Sequence, residues 1–257
     1  MTTQFSLARR LKAGETVHTG WCPLPYPIVA ETLAREGFPA VTLDQQHGLW
    51  DMGATVTGLA AVRQGGAAPI VRIPVNSFAI ASRVLDLGAE GVIAPMINTV
   101  EDARAFVEVA KYPPVGERSW GPTRVMTLTG MTDQKEYLRE ANAQTVTIAM
   151  IETQTALDNL DAIAGTEGID VLFVGPSDLS IALTDGKEVE PHSALVEREL
   201  DRVVVAAKKA NKVPGLYCAN ADRAVFAAKR GFRFLAVGSD LTFLRMGAAA
   251  QLKILKS

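Results

Sequence analysis

The chain has 257 residues, 48% of them hydrophobic and 21% charged, with a formal net charge of −2. These values suit a soluble globular enzyme, and the lack of a basic surplus argues against a nucleic-acid or anionic-membrane partner. The length matches the roughly 250 residues of a one-domain (β/α)8 barrel.

The first residues, MTTQFSLARRLKAG, are polar and predict a short helix without the apolar stretch of a signal peptide. No apolar run reaches the roughly 18 residues of a membrane span. Cys22 and Cys218 have neither metal-ligand nor disulfide-framework spacing. A cytoplasmic protein with reduced thiols is the expectation.

Eight short runs dense in Val, Ile and Leu follow: Val17–Cys22, Ala40–Asp44, Pro69–Ile73, Gly91–Pro95, Val146–Glu152, Ile169–Gly175, Val213–Cys218 and Phe232–Gly238. They show little polar alternation, as strands covered on both faces do. Helical patterns lie between them. Pro27–Glu36 stops at Gly37, Asp51 caps a helix running to Arg63, and Asn76 is expected to cap one ending at Gly88. Thr99-x-x-Asp102 is a capping-box-like start for a helix to Tyr112. Thr155–Gly165, Ser193–Asn211, Ala221–Arg230 and Leu241–Leu255 complete the set. The alternation predicts an α/β fold, a closed parallel (β/α)8 TIM barrel formed by residues 1–257 as one domain. An insertion at about 113–144 contains GERSWGPTR and a predicted helix at Asp133–Ala143. Long inserts are commonly functional, so it serves the site, an oligomer contact or neither. A doubly wound sheet is disfavoured because no G-x-G-x-x-G follows the first strand.

Barrel enzymes do their chemistry at the C-terminal ends of the strands. There the sequence places Trp21, Asp44, His47, Arg72, Glu152, Asp178 and the run Gly175-Pro176-Ser177. Two carboxylates make a hard oxygen site for Mg²⁺, Mn²⁺ or Co²⁺. They could equally form a structural ion network with Arg72. Arg72 offers a planar fork for a carboxylate, and His47 is a base near neutral pH. Asp86, inside the helical Val84-Leu85-Asp86-Leu87-Gly88, is either a solvated residue or a carboxylate that orients a His. A Schiff-base mechanism lacks its lysine: Lys212 precedes strand seven and Lys111 closes a helix.

Ordered motifs across nearly the whole chain carry a resemblance. They are Leu43-Asp44-x-x-His47-Gly48, Val71-Arg72, Leu85-Asp86-Leu87-Gly88-Ala89, Pro95-Met96, Tyr112-Pro113-Pro114-x-Gly116-x-Arg118, Ile151-Glu152-Thr153, Gly175-Pro176-Ser177-Asp178-Leu179-Ser180 and Ala236-Val237-Gly238-x-Asp240. In these the chain resembles the HpcH/HpaI aldolases, class II pyruvate aldolases on the phosphoenolpyruvate/pyruvate type of barrel. The resemblance implies that Glu152 and Asp178 hold a divalent metal and that Arg72 binds the keto-acid carboxylate and steadies the enolate. It makes His47 the base with Asp86 as its partner, and has backbone N–H groups near Ser177 receive the substrate carboxylate. It has Asp44 place the aldehyde from a neighbouring subunit, and Trp120 and Arg124 contact the acceptor from a loop over the site. It further implies a hexamer, a trimer of dimers that exchanges the last helix. The reaction it implies joins pyruvate or hydroxypyruvate to an aldehyde. An acyl-CoA lyase of the same superfamily and a non-catalytic keto-acid binder are the alternatives. Gln46 and Met150 stand where many family members carry Glu and Gln, which leaves donor choice and proton handling open.

Overall fold

The computed structural model describes residues 5–256. After α1 (Leu7–Lys12) the order is β1 (Val17–Cys22), α2 (Pro27–Arg35), β2 (Ala40–Asp44), α3 (Met52–Gln64), β3 (Ala68–Arg72), α4 (Ala79–Asp86) and β4 (Gly91–Ala94). Then come α5 (Val100–Ala110), α6 (Thr123–Thr129), α7 (Gln134–Gln144), β5 (Val146–Ile151), α8 (Gln154–Asp158), α9 (Leu160–Ala164) and β6 (Val171–Val174). The chain closes with α10 (Pro176–Leu183), α11 (Ala194–Lys209), β7 (Val213–Cys218), α12 (Ala221–Arg230), β8 (Phe234–Val237) and α13 (Asp240–Leu255).

The eight strands form one closed barrel in chain order, every neighbour parallel, with β8 paired to β1. This is the (β/α)8 architecture expected. All eight expected strands are present, with some ends shifted by a residue or two; β4, β6 and β8 stop just before Pro95, Gly175 and Gly238. Alternate residues face the axis. Val17, Trp21, Ile70, Ile93, Ile148, Met150, Phe173 and Phe234 fill the interior, while the outward set packs under the helices with residues such as Leu59, Phe106 and Leu200. Inside the barrel the Thr19 and Thr42 hydroxyls bond each other at 2.8 Å, so neither is left unpaired.

α1 plugs the N-terminal end of the barrel. Its Leu7, Ala8 and Leu11 join the interior cluster. Glu90 accepts the Ser6 and Leu7 N–H groups at 2.7 and 2.9 Å, supplying the cap that the Ser6 side chain does not. The same carboxylate pairs with Arg63 at 3.1 Å.

Four local expectations change. Asn76 does not cap α4: it takes a left-handed φ of 57°, and the helix starts at Ala79 after a turn closed by the Ser77 N–H on the Pro74 carbonyl. The expected helix over Thr155–Gly165 is divided at Asn159, whose side chain donates to the carbonyls of Asn98 and Thr155. The insertion holds a helix, α6, that the sequence pattern did not signal. A further short helix, α10, opens directly at Pro176. By contrast the Asp51 cap and the Thr99–Asp102 capping box form as expected.

Candidate active site

Strand parity decides which side chains reach the mouth. Thr42 and Asp44, Ile70 and Arg72, Met150 and Glu152, and Phe173 and Gly175 each lie two residues apart, so each second member continues the inward row past the packed interior. The mouth is a cavity of about 330 Å³ whose lining includes Trp21, Asp44, His47, Arg72, Gly175, Pro176, Ser177 and Asp178. Met150, Phe173 and Tyr217 add an apolar and aromatic wall. Sequence puts Tyr217 at the C-terminal end of strand seven without giving it a role and does not single out Phe173, although inward parity on β7 and β6 signals both.

The register of β2 against β3 places Asp44 directly opposite Arg72. Arg72 donates from Nε to Oδ1 at 2.9 Å and from Nη2 to Oδ2 at 2.6 Å, a planar fork-to-fork pair. Its guanidinium lies 4.9 Å from the centre of the Trp21 ring. Asp44 also accepts the Trp21 indole N–H at 3.1 Å and the backbone N–H groups of Gln46 and His47. Burial alone would raise the Asp44 carboxyl, but the Arg72 fork and charge, with the His47 and Trp21 donors, hold it below the ordinary range. Both of its oxygens are engaged within the chain, where they orient Arg72 and the loop that carries His47.

That loop is tight. A Cβ on Gly48 would sit 2.2 Å from the Asp44 carbonyl oxygen and 2.9 Å from the Pro23 Cα, so only glycine fits. His47 itself is exposed at the mouth.

Glu152 is buried, and its Oε1 accepts the Met96 N–H at 2.9 Å. Burial pushes its carboxyl up to about 7; the Met96 N–H and the Arg72 charge oppose this, and the Asp178 charge adds to it. The remaining oxygen, Oε2, lies over Gly175: a Cβ there would be 2.5 Å from it. Asp178 and Ser177 stand exposed in the first turn of α10. Among the described residues no group of three or more His, Cys, Asp or Glu side chains converges as a metal cluster would, and the second carboxylate whose charge Glu152 feels is Asp178. A buried carboxylate that feels the charge of a second one is what a divalent cation would relieve.

Asp86 and Trp120 are elsewhere. α4 runs back antiparallel to β3, so its last residue, Asp86, lies at the end of the barrel opposite His47. Asp86 pairs with Arg118 at 2.5 Å, and within the chain it does not meet His47. The insertion likewise joins α5 to β5, so it too lies at the N-terminal end of the strands and not over the mouth. Trp120 packs there on Tyr112 and Tyr137, at 5.5 and 6.0 Å between ring centres, with Arg118 4.6 Å from the Tyr112 ring. Helix direction, rather than proximity in sequence, separates these residues from the mouth of their own barrel.

No helix among the described residues is long and apolar enough to cross a membrane. The family model for HpcH/HpaI aldolase/citrate lyase matches residues 19–246. The chain is 37% identical over 235 residues to a hydroxypyruvate/pyruvate aldolase of Rhizorhabdus wittichii, covering 91% of this chain and 92% of that one. It is 35% identical over 226 residues to a 5-keto-4-deoxy-D-glucarate aldolase of Klebsiella pneumoniae, covering 88% and 86%. The crystal structure of an HpcH/HpaI aldolase from Desulfitobacterium hafniense superposes with a TM-score of 0.91 at 28% identity, covering 98% of this chain and 97% of that one. A complete parallel barrel, carboxylates and an arginine at its mouth, and matches spanning most of the length converge: the chain is a carbon–carbon lyase of the HpcH/HpaI aldolase/citrate lyase family.

Proposed function

We propose that the chain is a divalent-metal-dependent class II aldolase that adds pyruvate or hydroxypyruvate to an aldehyde and, in reverse, cleaves 4-hydroxy-2-keto acids. The observation that carries this reading is a forked arginine and Asp178 lining one mouth, with the buried Glu152 directly behind Gly175 of that lining and within reach of the Asp178 charge. Glu152 and Asp178 would hold the cation, Mg²⁺, Mn²⁺ or Co²⁺, which supplies positive charge as the keto acid becomes an enolate.

The chain's own residues then have distinct tasks. Arg72, with Nε and Nη2 spent on Asp44, keeps Nη1 for the keto acid and puts its charge near the developing oxyanion. The Ser177 and Asp178 N–H groups, in the first turn of α10, have no intrahelical acceptor and suit the substrate carboxylate, with Gly175 and Pro176 setting the approach. His47, exposed at the rim, takes the C3 proton. Trp21, Phe173 and Tyr217 exclude water on the other side; the Trp21 and Phe173 rings stack at 6.1 Å and the Tyr217 edge meets Trp21 at 5.4 Å.

The working form we propose is a homo-oligomer, a hexamer built as a trimer of dimers. α13 presents Leu244, Met246, Leu252, Ile254 and Leu255 to solvent, and of its residues only Asp240 is buried, which suits exchange of this helix with a partner. In such an assembly, Asp86 and Trp120 of one copy serve the mouth of another, Asp86 as partner to its His47 and Trp120 as an acceptor contact. The compartment we propose is the cytoplasm.

The test is proton exchange at C3 of pyruvate and of hydroxypyruvate in D₂O, followed by NMR with Mg²⁺ or Mn²⁺ and with a chelator. Metal-dependent exchange is expected. Exchange that persists unchanged in chelator removes the metal from the mechanism, and no exchange with either donor removes the enolate chemistry.

A further inference from the structure

The end of the barrel away from the mouth carries a second cavity, of about 530 Å³, between α1, the start of β7 and the α12–β8 turn. Its charge is one-sided. Lys12, Lys208, Lys212 and Arg233 line it, against one acid, Asp170. That acid is already neutralised: Lys111, buried beneath, reaches Asp170 Oδ2 at 2.9 Å, and the Thr147 N–H and hydroxyl donate to the same oxygen. None of the four lining cations makes an ion pair among the described residues. Three of them do hold neutral acceptors. Lys12 donates to the Ala143 carbonyl at 3.0 Å, Lys212 to that of Thr166 at 3.3 Å, and Arg233 to those of Ala228 and Phe232 at 2.9 and 2.8 Å. A carbonyl satisfies a donor but leaves its charge uncompensated. Lys208 has no acceptor among the described residues, and its Nζ points to the rim, 3.0 Å from where a Cβ on Gly231 would lie.

Helix C-termini meet at this end, and cations there complement their dipoles. The dipoles account for part of this charge, Lys208 itself lying in the last turn of α11, but no carboxylate among the described residues pairs with any of the four. Four unpaired positive charges around a half-enclosed cavity, on a chain of net charge −2, concentrate a field that attracts a compact anion. We propose that this cavity is a binding site for a small multivalent anion, phosphate-bearing or polycarboxylate, separate from the mouth. A ligand there would bridge Lys12 on α1 to Lys208, Lys212 and Arg233, and so clamp the plug helix onto the barrel.

The experiment is calorimetric titration of the whole protein with inorganic phosphate and, separately, with tricarballylate, in chelator and at fixed ionic strength, with thermal unfolding alongside. Saturable binding of either anion and a rise in Tm that sodium chloride does not reproduce are expected; which anion binds tighter separates the two sources. Lys208→Glu, at an exposed position whose ammonium holds no acceptor, should weaken binding at least about ten-fold and abolish the Tm rise. Lys212→Gln should weaken it less, because one charge goes and none is reversed. Binding equal to that of the native chain in Lys208→Glu, or no saturable binding of either anion, overturns the proposal. Neither result bears on the chemistry at the mouth.

Discussion

Replacing Glu152 by glutamine isolates the electrostatics of the mouth without changing its shape. In the protein without metal, the Glu152 carboxyl titrates at about 7 in place of an ordinary 4.5. The folded state therefore keeps a proton that the unfolded chain releases, and native stability declines as pH rises through that window. The gap corresponds to a loss of up to about 3 kcal/mol by the time both states are ionised. The glutamine amide keeps an acceptor for the Met96 N–H and carries no charge to desolvate. Urea unfolding in chelator at about pH 5 and about pH 8 should give a native chain that loses this increment and a Glu152→Gln variant that does not. Adding Mn²⁺ at the higher pH should restore stability to the native chain alone, because the cation rewards the charged form that burial penalises. Parallel stability curves for the two proteins in chelator would refute the reasoning, since they would mean that water, not protein, surrounds the carboxylate.

Arg72→Ala strands a buried Asp44 whose oxygens were held by the fork; denaturant unfolding should show a loss of about 3–5 kcal/mol, and kcat should fall together with donor affinity. Asp44→Asn should flatten the acid side of the stability profile: the native Asp44 carboxyl lies below 3.8, so its contribution is present above that pH and disappears as pH falls further. Gly175→Ala drives a Cβ into Glu152 Oε2 and should weaken divalent-cation binding by at least about ten-fold, with an unchanged circular dichroism spectrum. Glu90→Ala removes both the cap on α1 and the carboxylate facing Arg63. Its cost, read by urea unfolding, should be about 3 kcal/mol, as for one member of a buried pair.

The strand count, the closed parallel barrel and the placing of Asp44, Arg72, Glu152 and Gly175 near the mouth were legible because each rests on local pattern. Unalternating apolar runs mark strands covered on both faces, and a polar residue two positions beyond an inward apolar one must face the axis. Helix caps at Asp51 and Thr99 were legible for the same reason, since a cap is a matter of three or four adjacent residues. The division of the Thr155–Gly165 segment was not, because the acceptor that holds the Asn159 side chain is the carbonyl of Asn98, on a different βα unit.

Pairings that span units were decided only by the tertiary structure. Whether Arg72 is free for substrate or spent on Asp44 depends on the β2–β3 register, and that register divides its donors between the two tasks. Whether Glu152 is an ordinary carboxylate depends on how deeply it is buried against Met96 and Gly175 and on the Asp178 charge. Asp86 and Trp120 look adjacent to the chemistry in a list of motifs, yet the return direction of α4 and the α5–β5 position of the insertion carry them to the far end of the barrel. Sequence records which groups the chain owns; burial and charge pairing depend on distances between segments far apart in the chain, and those are set only when the barrel closes.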